Sequence, residues 1–473
     1  MKRRVVVIGG GITGLAVAYR VGLSGAADVT VLEKRARLGG NIHTEKADGY
    51  TIDAGPDAWV STKPHAGALA KELGLAREMV GTIEANRRVY IATERGLHAL
   101  PEGMVLGVPT RVMPMLETPV FHWDAKLRMG LELFVPKRTY APGEDESIAS
   151  FFSRRFGDEL TDRLAAPLLG GIFAGDAADL SVRATFPQLV EMEQKHGSLL
   201  RAMWARVKEM RAQHAPKEGD KPAEKKAPPS AFISLESGLG RLVERLVESL
   251  QNTTIRTGAG VRAVRAREGG LDVELESGEV LAADDVALTA PAHALVPMVA
   301  ELDADLSEKL TALRYASTVT VFLGVERAGV AHELDATGFL VPRSLGRPLL
   351  AGTWVSSKWP KRAPEGHALL KAFFGGAWGE GVLDKSDEDL VTLAREELER
   401  LMGPIGAPRF TRVYRHRRAS PQPVIGHLGR MAAIRARVEG HAGLHLAGNG
   451  FDGSGIPDCI KQAEAVAQAI LAR

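Results

Sequence analysis

The chain has a single cysteine, Cys459, in 473 residues. A lone thiol excludes an intrachain disulfide and any cysteine-cluster metal site, which fits a reducing compartment. A surplus of either charge is equally absent. Lys and Arg number 60 against 58 Asp and Glu, a net charge of +2, so nothing in the global balance points to nucleic acid as a partner. No apolar run reaches the roughly 18 residues that a membrane-spanning helix needs. Met1-Lys2-Arg3-Arg4 and Val5-Val6-Val7-Ile8 imitate a secretory leader, but the run breaks at once into Gly9-Gly10-Gly11, and no small-residue cleavage site follows cleanly. The expected location is the cytoplasm, or the periphery of the cytoplasmic membrane. Glycine is what the chain has in excess, with 51 residues against an average usage of roughly 7%. Such an excess marks tight turns, or backbone that a ligand must approach closely.

The first glycines are placed for a dinucleotide. Val5-Val6-Val7-Ile8 reads as a buried strand, Gly9-Gly10-Gly11-Ile12-Thr13-Gly14 as a turn, and Leu15 to Leu23 as a helix of small residues. Gly9, Gly11 and Gly14 fill the G-x-G-x-x-G positions, which serve the turn, the pyrophosphate approach and helix–strand packing. Ile12 and Thr13 open the helix, whose unpaired N–H groups and partial positive charge suit phosphate. A second strand, Val29-Thr30-Val31-Leu32, ends at Glu33 beside Lys34, and an acid there accepts from the ribose hydroxyls. FAD is favoured over NAD by further close-approach segments: Arg37 to Thr44 with its doublet Gly39-Gly40, then Asp53-Ala54-Gly55-Pro56 ahead of Asp57. The far end of the sequence repeats the pattern. A short strand runs into Gly448, Gly453, Ile456 and Pro457 ahead of an amphipathic helix from Cys459 to Leu471, and a helix start of this kind suits partial negative charge on a flavin ring.

With both ends considered together, the chain resembles the FAD-dependent protoporphyrinogen oxidases of the amine-oxidase-like flavoprotein superfamily. The segments carrying this resemblance include Asn86-Arg87, Leu97-His98-Ala99-Leu100-Pro101, Gly170 to Asp176, Gly338 to Pro342, Phe373-Phe374-Gly375-Gly376 and Ala447 to Ile460. Two departures stand out. Asp57 occupies a position where some relatives carry arginine, and the stretch from Tyr90 to Leu97 is longer than in some relatives.

The resemblance implies an α/β fold with a discontinuous Rossmann-type FAD-binding domain, 1–82, 230–291 and 420–473. It also implies an α+β substrate domain with a mixed sheet, 83–110 and 292–419, and a helical insert, 111–229, that could associate with a membrane. Val261, Thr289 and Ala290 would join the cofactor site. The charged, Pro-rich 217–229 segment reads as a mobile loop, and Arg412 to Arg418 as a solvated basic face before a strand.

The activity implied is oxygen-dependent, six-electron oxidation of protoporphyrinogen IX with release of hydrogen peroxide. Oxidation of coproporphyrinogen III is the near alternative. Phytoene-type desaturation, amine oxidation and a non-catalytic FAD-fold escort lie further off. Phe339, Leu340 and Phe373 are candidates for an apolar slot, Arg87 and Arg95 for the propionates, and Leu168, Gly170 and Gly171 for the flavin-proximal cleft. Partners would be the porphyrinogen and O₂, with a membrane surface and hand-over to a chelatase as further readings. No catalytic side chain and no metal site is expected. His43, His98 and His445 read as structural histidines. Apolar clusters at 104–106, 113–116 and 120–123, among scattered Lys and Arg, could dock on a bilayer without spanning it.

Overall fold

The structure, a computed structural model, describes residues 2–213 and 230–473, so the expected mobile loop at 217–229 lies outside the described residues. The chain forms two compact units. One comprises Met1–Gly81, Ala231–Tyr315 and His427–Arg473, and the other Thr82–Ser230 and Ala316–Gly426. The second unit holds most of the expected substrate segments together with the helical insert, and we propose the finer three-domain division only as a reading of those segments.

The first unit is built on five parallel strands, in the order Thr253–Thr257, Ala27–Glu33, Arg3–Ile8, Asp285–Leu288 and Leu444–Leu446. The three inner strands are near-continuous apolar runs, as expected of a parallel sheet covered on both faces. One face carries the helices Ile12–Leu23, Pro64–Glu72, Gly240–Glu248 and Ile456–Ala472. Apolar residues of the meander Val261–Ala283 and of three further helices cover the other. Cys459 packs between the first and last helices, where burial pushes its thiol up to about 11 despite a hydrogen bond with Thr13. His445 is structural: its Nε2 lies 2.9 Å from Asp285, which also pairs with Arg3 and Arg473.

Asp303 ties the second layer together. It caps the helix Ala304–Thr311 through the Leu306 N–H (2.9 Å) and also meets Arg437 (2.9 Å) and His441 (2.8 Å). Burial pushes this carboxyl up, but His441, the Leu306 N–H and Arg437 outweigh it and hold it at about 2, from an ordinary 3.8. A depressed folded-state value stabilises above the unfolded value, and that stability is lost as pH falls from about 4 towards 2. Asp303→Asn keeps a capping oxygen but removes the charge. Its unfolding midpoint should therefore fall less steeply than the wild type's across that window, with about 2 kcal/mol of the pH dependence removed; parallel slopes would contradict this assignment.

The second unit contains a seven-stranded mixed sheet, in the order Phe410–Gln422, Arg314–Glu326, His367–Gly375, Leu349–Trp354, Gly338–Leu340, Tyr90–Thr93 and Gly96–Ala99. The first residues of Arg314–Glu326 come from the other unit. One face is dry. Val319, Val321, Phe339, Trp354, Leu370, Ala372 and Phe374 pack there with Leu390, Ala394 and Leu398 of the helix Asp387–Met402. The basic run Arg412 to Arg418 lies inside the strand Phe410–Gln422 rather than ahead of it, and most of it is half-buried. Arg415, for example, reaches Asp387 and the carbonyls of Leu383 and Lys385.

The remaining helices of this unit surround a buried ionic network. Arg155, Glu132 and Glu193 are all 0% exposed. Arg155 Nε donates to Glu132 at 2.8 Å and its Nη1 to Glu193 at 3.0 Å. Glu132 also accepts from Ser198 Oγ and from the Leu199 N–H, which opens the helix Leu199–Gln213.

Candidate functional site

The first unit has the backbone geometry of a dinucleotide cradle. The turn after Arg3–Ile8 leaves Gly9 at φ +114°, a conformation that L side chains rarely adopt. A Cβ on Gly14 would overlap the Gly9 carbonyl oxygen and come within 3.1 Å of Val7, so this glycine lets helix and strand touch. Gly11 differs. The nearest atom to a Cβ placed there is Gly40 Cα at 3.9 Å, and Gly39 N–H is bonded to Gly10 O at 2.8 Å. Two glycine segments 28 residues apart in sequence (11 and 39) therefore form one bridge, bare of side chains, beside the first turn of the helix.

Glu33 ends its strand with both carboxylate oxygens anchored. Oε2 accepts from the Gly10 N–H and Oε1 from the Arg35 N–H, each at 2.8 Å. A carboxylate oxygen can accept more than one hydrogen bond, so an oriented Glu33 can still take ribose hydroxyls. Arg37 braces the glycine doublet through the Gly40 carbonyl at 2.8 Å; burial and the neighbouring Arg35 depress its pKa. Burial and Arg37 likewise hold His43 below the ordinary histidine range. Thr289 Oγ1 donates to Ile8 O and Gly9 O at 2.9 and 3.0 Å, with Ala290 next to it. Val261 is buried under the same layer. Gly55 abuts the Asn41 carbonyl, which sets Pro56 and Asp57 beside the doublet.

Some candidates can act only through backbone, and others are committed elsewhere. Ile12 and Thr13 are buried, so their contribution would be N–H groups. Lys34 points outward to Glu276 at 2.8 Å. At the second glycine loop, Gly448 N–H bonds Gln462 Oε1 (3.1 Å), and Gly453 packs on Asp458. Ile456 and Pro457 are buried in the first helical turn. Asp458 accepts from the Gly455 N–H (3.3 Å) and pairs with Lys63 (2.7 Å). This helix end is thus closer to charge balance than its glycines suggest. The bare Gly11–Gly39 bridge and the anchored Glu33 fit FAD: the bridge would take the pyrophosphate and the carboxylate the ribose.

The second unit brings together candidates from distant segments at one end of its sheet. Tyr90–Thr93, Gly338–Leu340 and His367–Gly375 run in the same direction, so their C-terminal ends share an edge. Ile91, Leu340, Ala351, Phe373 and Thr320 lie in one transverse row, with side chains on the face opposite the dry core. Leu340, Ala351 and Phe373 are half-buried there, and Thr353 and Lys371 are half-buried in the next row. Phe339 does not belong to this strip. It is 2% exposed and packs near Trp354, because adjacent strand residues point to opposite faces. Leu340 and Phe373 form the strip; Phe339 is core.

The cations also separate. Arg87 precedes the strand Tyr90–Thr93 and is half-buried, whereas Arg95 is exposed in the turn at the other end, beside the edge where the strands finish. The structure does not bring the two together. Leu168 and Gly170 lie in or at the end of a π-helix, Thr161–Gly170, that contains Pro167 and packs on the turn Arg343–Leu345. Gly171 is exposed, with nothing within 4 Å of a Cβ placed on it. Ala174 O accepts from the Ala377 N–H at 2.9 Å, joining this segment to the end of His367–Gly375. Sequence reasoning missed Lys371, which alternates with Phe373 on one strand and sits 5.4 Å over the Phe322 ring. It also missed Arg343 and Trp378, which come together only through the sheet. No group of acids, histidines or cysteines able to hold a metal occurs among the described residues.

Comparison with known proteins places this geometry. The family model described as flavin containing amine oxidoreductase matches residues 12–471. The coproporphyrinogen III oxidase of Bacillus subtilis (strain 168) is 37% identical over 98% of this chain and 97% of its own length. The chloroplastic protoporphyrinogen oxidase 1 of Spinacia oleracea is 30% identical, covering 98% of this chain and 84% of its own. A crystal structure from Exiguobacterium sp. 255-15, described as a "Putative protoporphyrinogen oxidase", superposes with a TM-score of 0.86 at 32% identity over 100% of both chains.

Proposed function

The chain belongs to the flavin containing amine oxidoreductases, and from that premise, which makes it an FAD-dependent oxidoreductase, we propose that its substrate is a porphyrinogen. The observation that carries this reading is the half-buried strip of Leu340, Ala351 and Phe373, which ends at an edge bearing arginines. A large flat macrocycle with acidic side chains needs an apolar surface and cations at its rim. Sequence motifs alone put protoporphyrinogen IX first. The name carried by the Bacillus relative, together with arginines in two neighbouring turns, moves coproporphyrinogen III ahead, and the Spinacia relative keeps protoporphyrinogen IX as the second reading.

Bound FAD supplies two-electron acceptance at its ring and reoxidation by O₂. Full oxidation of a porphyrinogen would take six electrons and six protons from the macrocycle, balanced by reduction of three O₂ to three H₂O₂. The chain's own part is to hold and orient. Glu33 and the glycine bridge fix the cofactor, while Leu340 and Phe373 offer apolar contact to the macrocycle. His445 is tied to Asp285 through its Nε2 at 2.9 Å. Peroxide release by the flavin-loaded protein, measured with each porphyrinogen separately, tests the reading. Turnover of coproporphyrinogen III with a higher kcat/KM than protoporphyrinogen IX is expected, and inertness towards both would overturn it.

Docking on a membrane surface belongs to the same proposal, but on a revised set of residues. Met115, Val120 and Phe121 are buried in the helical core, whereas Met113 and Trp123 are exposed. Val112, Leu127, Leu131 and Phe134, the last 77% exposed, extend the patch. No helix among the described residues is long and apolar enough to cross a membrane. Co-sedimentation with anionic vesicles should retain the wild type and release a Leu127→Glu/Phe134→Glu variant; a wild type left wholly in the supernatant would reject docking.

A further inference from the structure

Where the strands end, three side chains from separate segments are locked together. Asp176 follows the π-helix and the exposed Gly171-Ile172. Arg343 follows Gly338–Leu340, and Trp378 follows His367–Gly375. Asp176 Oδ2 accepts from Trp378 Nε1 at 2.7 Å and from Arg343 Nη1 at 3.0 Å, while its Oδ1 accepts from the Ala178 N–H at 2.8 Å. The Arg343 guanidinium carbon lies 4.5 Å over the Trp378 ring.

An arginine stacked on an aromatic face and tethered by one Nη has a fixed plane. Its other edge is what matters. Among the described residues, Nε and Nη2 of Arg343 make no hydrogen bond, and the side chain is 63% exposed. That edge presents two parallel N–H donors, the arrangement that matches both oxygens of a carboxylate. Asp176 cancels the charge, so the site would select by geometry more than by long-range attraction. Its position agrees with this role, since Arg343 lies three residues beyond Leu340 and Trp378 five beyond Phe373, at the finish of the apolar strip.

We propose that Arg343, stacked on Trp378 and oriented by Asp176, binds a propionate carboxylate of the substrate. The inference rests on the porphyrinogen reading above and adds a specificity-determining residue to it. Asp176 and Trp378 act through Arg343 as positioning residues. A purely structural role, holding the 171–178 segment against the sheet, would make different predictions.

The test uses the flavin-loaded wild type with Arg343→Met and Arg343→Lys. Affinity for coproporphyrin III and for its tetramethyl ester is read by porphyrin fluorescence, and KM and kcat are measured with coproporphyrinogen III. Arg343→Met should weaken binding of the free acid about tenfold and raise KM by a similar factor, with kcat within about twofold and the ester unaffected. Arg343→Lys, which keeps the charge but loses the planar fork, should fall between the two. Equal weakening of acid and ester, or a loss confined to thermal stability, would assign Arg343 a structural role and overturn the proposal. So would unchanged acid binding by Arg343→Met where the wild type turns over coproporphyrinogen III. A wild type inert towards both porphyrinogens fails at the earlier step, since it removes the ligand on which this site depends.

Discussion

Replacing Gly14 with valine will yield protein without flavin. The substitution places a branched side chain where even a Cβ would overlap the Gly9 carbonyl oxygen and crowd Thr289 Oγ1 at 2.7 Å. Helix and strand must separate to admit it. That separation moves the helix N-terminus and the Gly11–Gly39 bridge, both of which the pyrophosphate would use. An affinity loss of at least about 100-fold is expected, visible as colourless protein after purification or as failure of apoprotein to take up added FAD. Gly171→Ala is the control. Nothing lies within 4 Å of its Cβ, so its flavin content should equal the wild type's. A yellow, fully loaded Gly14→Val protein would refute the cradle.

The second large effect falls on stability. Arg155→Met should cost about 3–5 kcal/mol, the range for breaking a buried ion pair from one side. The loss arises from what remains behind. Among the described residues Glu132 keeps only Ser198 and backbone N–H groups, all closed to solvent, and Glu193 keeps the half-buried Arg154. Arg155→Met/Glu132→Gln should recover a substantial part of the loss, because the amide oxygen can still accept from the Leu199 N–H without a buried charge. Chemical denaturation of the three proteins checks the order. A single variant within about 1 kcal/mol of wild type, or a double variant worse than the single, would show that the network contributes little.

How much of this was legible in the sequence depended on how local the signal was. The glycine turn, its strand and Glu33 lie within 33 residues, and spacing alone predicts their relation. The strand Ala27–Glu33 also follows the apolar run Val29-Thr30-Val31-Leu32 expected of it. Strand alternation already separates two of the slot candidates: Phe339 and Leu340 are neighbours, so one had to face away from the other's partners. The cluster of Asp176, Arg343 and Trp378 was not legible. Its members are 167 and 35 residues apart (176 to 343, and 343 to 378), and only the sheet order brings their turns to one edge. The ionic network was hidden for a similar reason, since Glu132, Arg155 and Glu193 each look like ordinary surface charges until the helices close around them.

The five-stranded sheet of the first unit has a consequence in time. It takes strands from 3–33, 253–288 and 444–446, and its first helix packs against Ile456–Ala472. An elongating ribosome therefore releases the glycine turn early but supplies the last strand and the last helix only after nearly all the rest. At roughly 5–20 residues per second, the interval is on the order of tens of seconds. For that time Leu15, Val17 and Val21 lack part of the surface that buries them. Flavin is expected to load only once Leu444–Leu446 and Ile456–Ala472 have been made, not on the glycine turn alone.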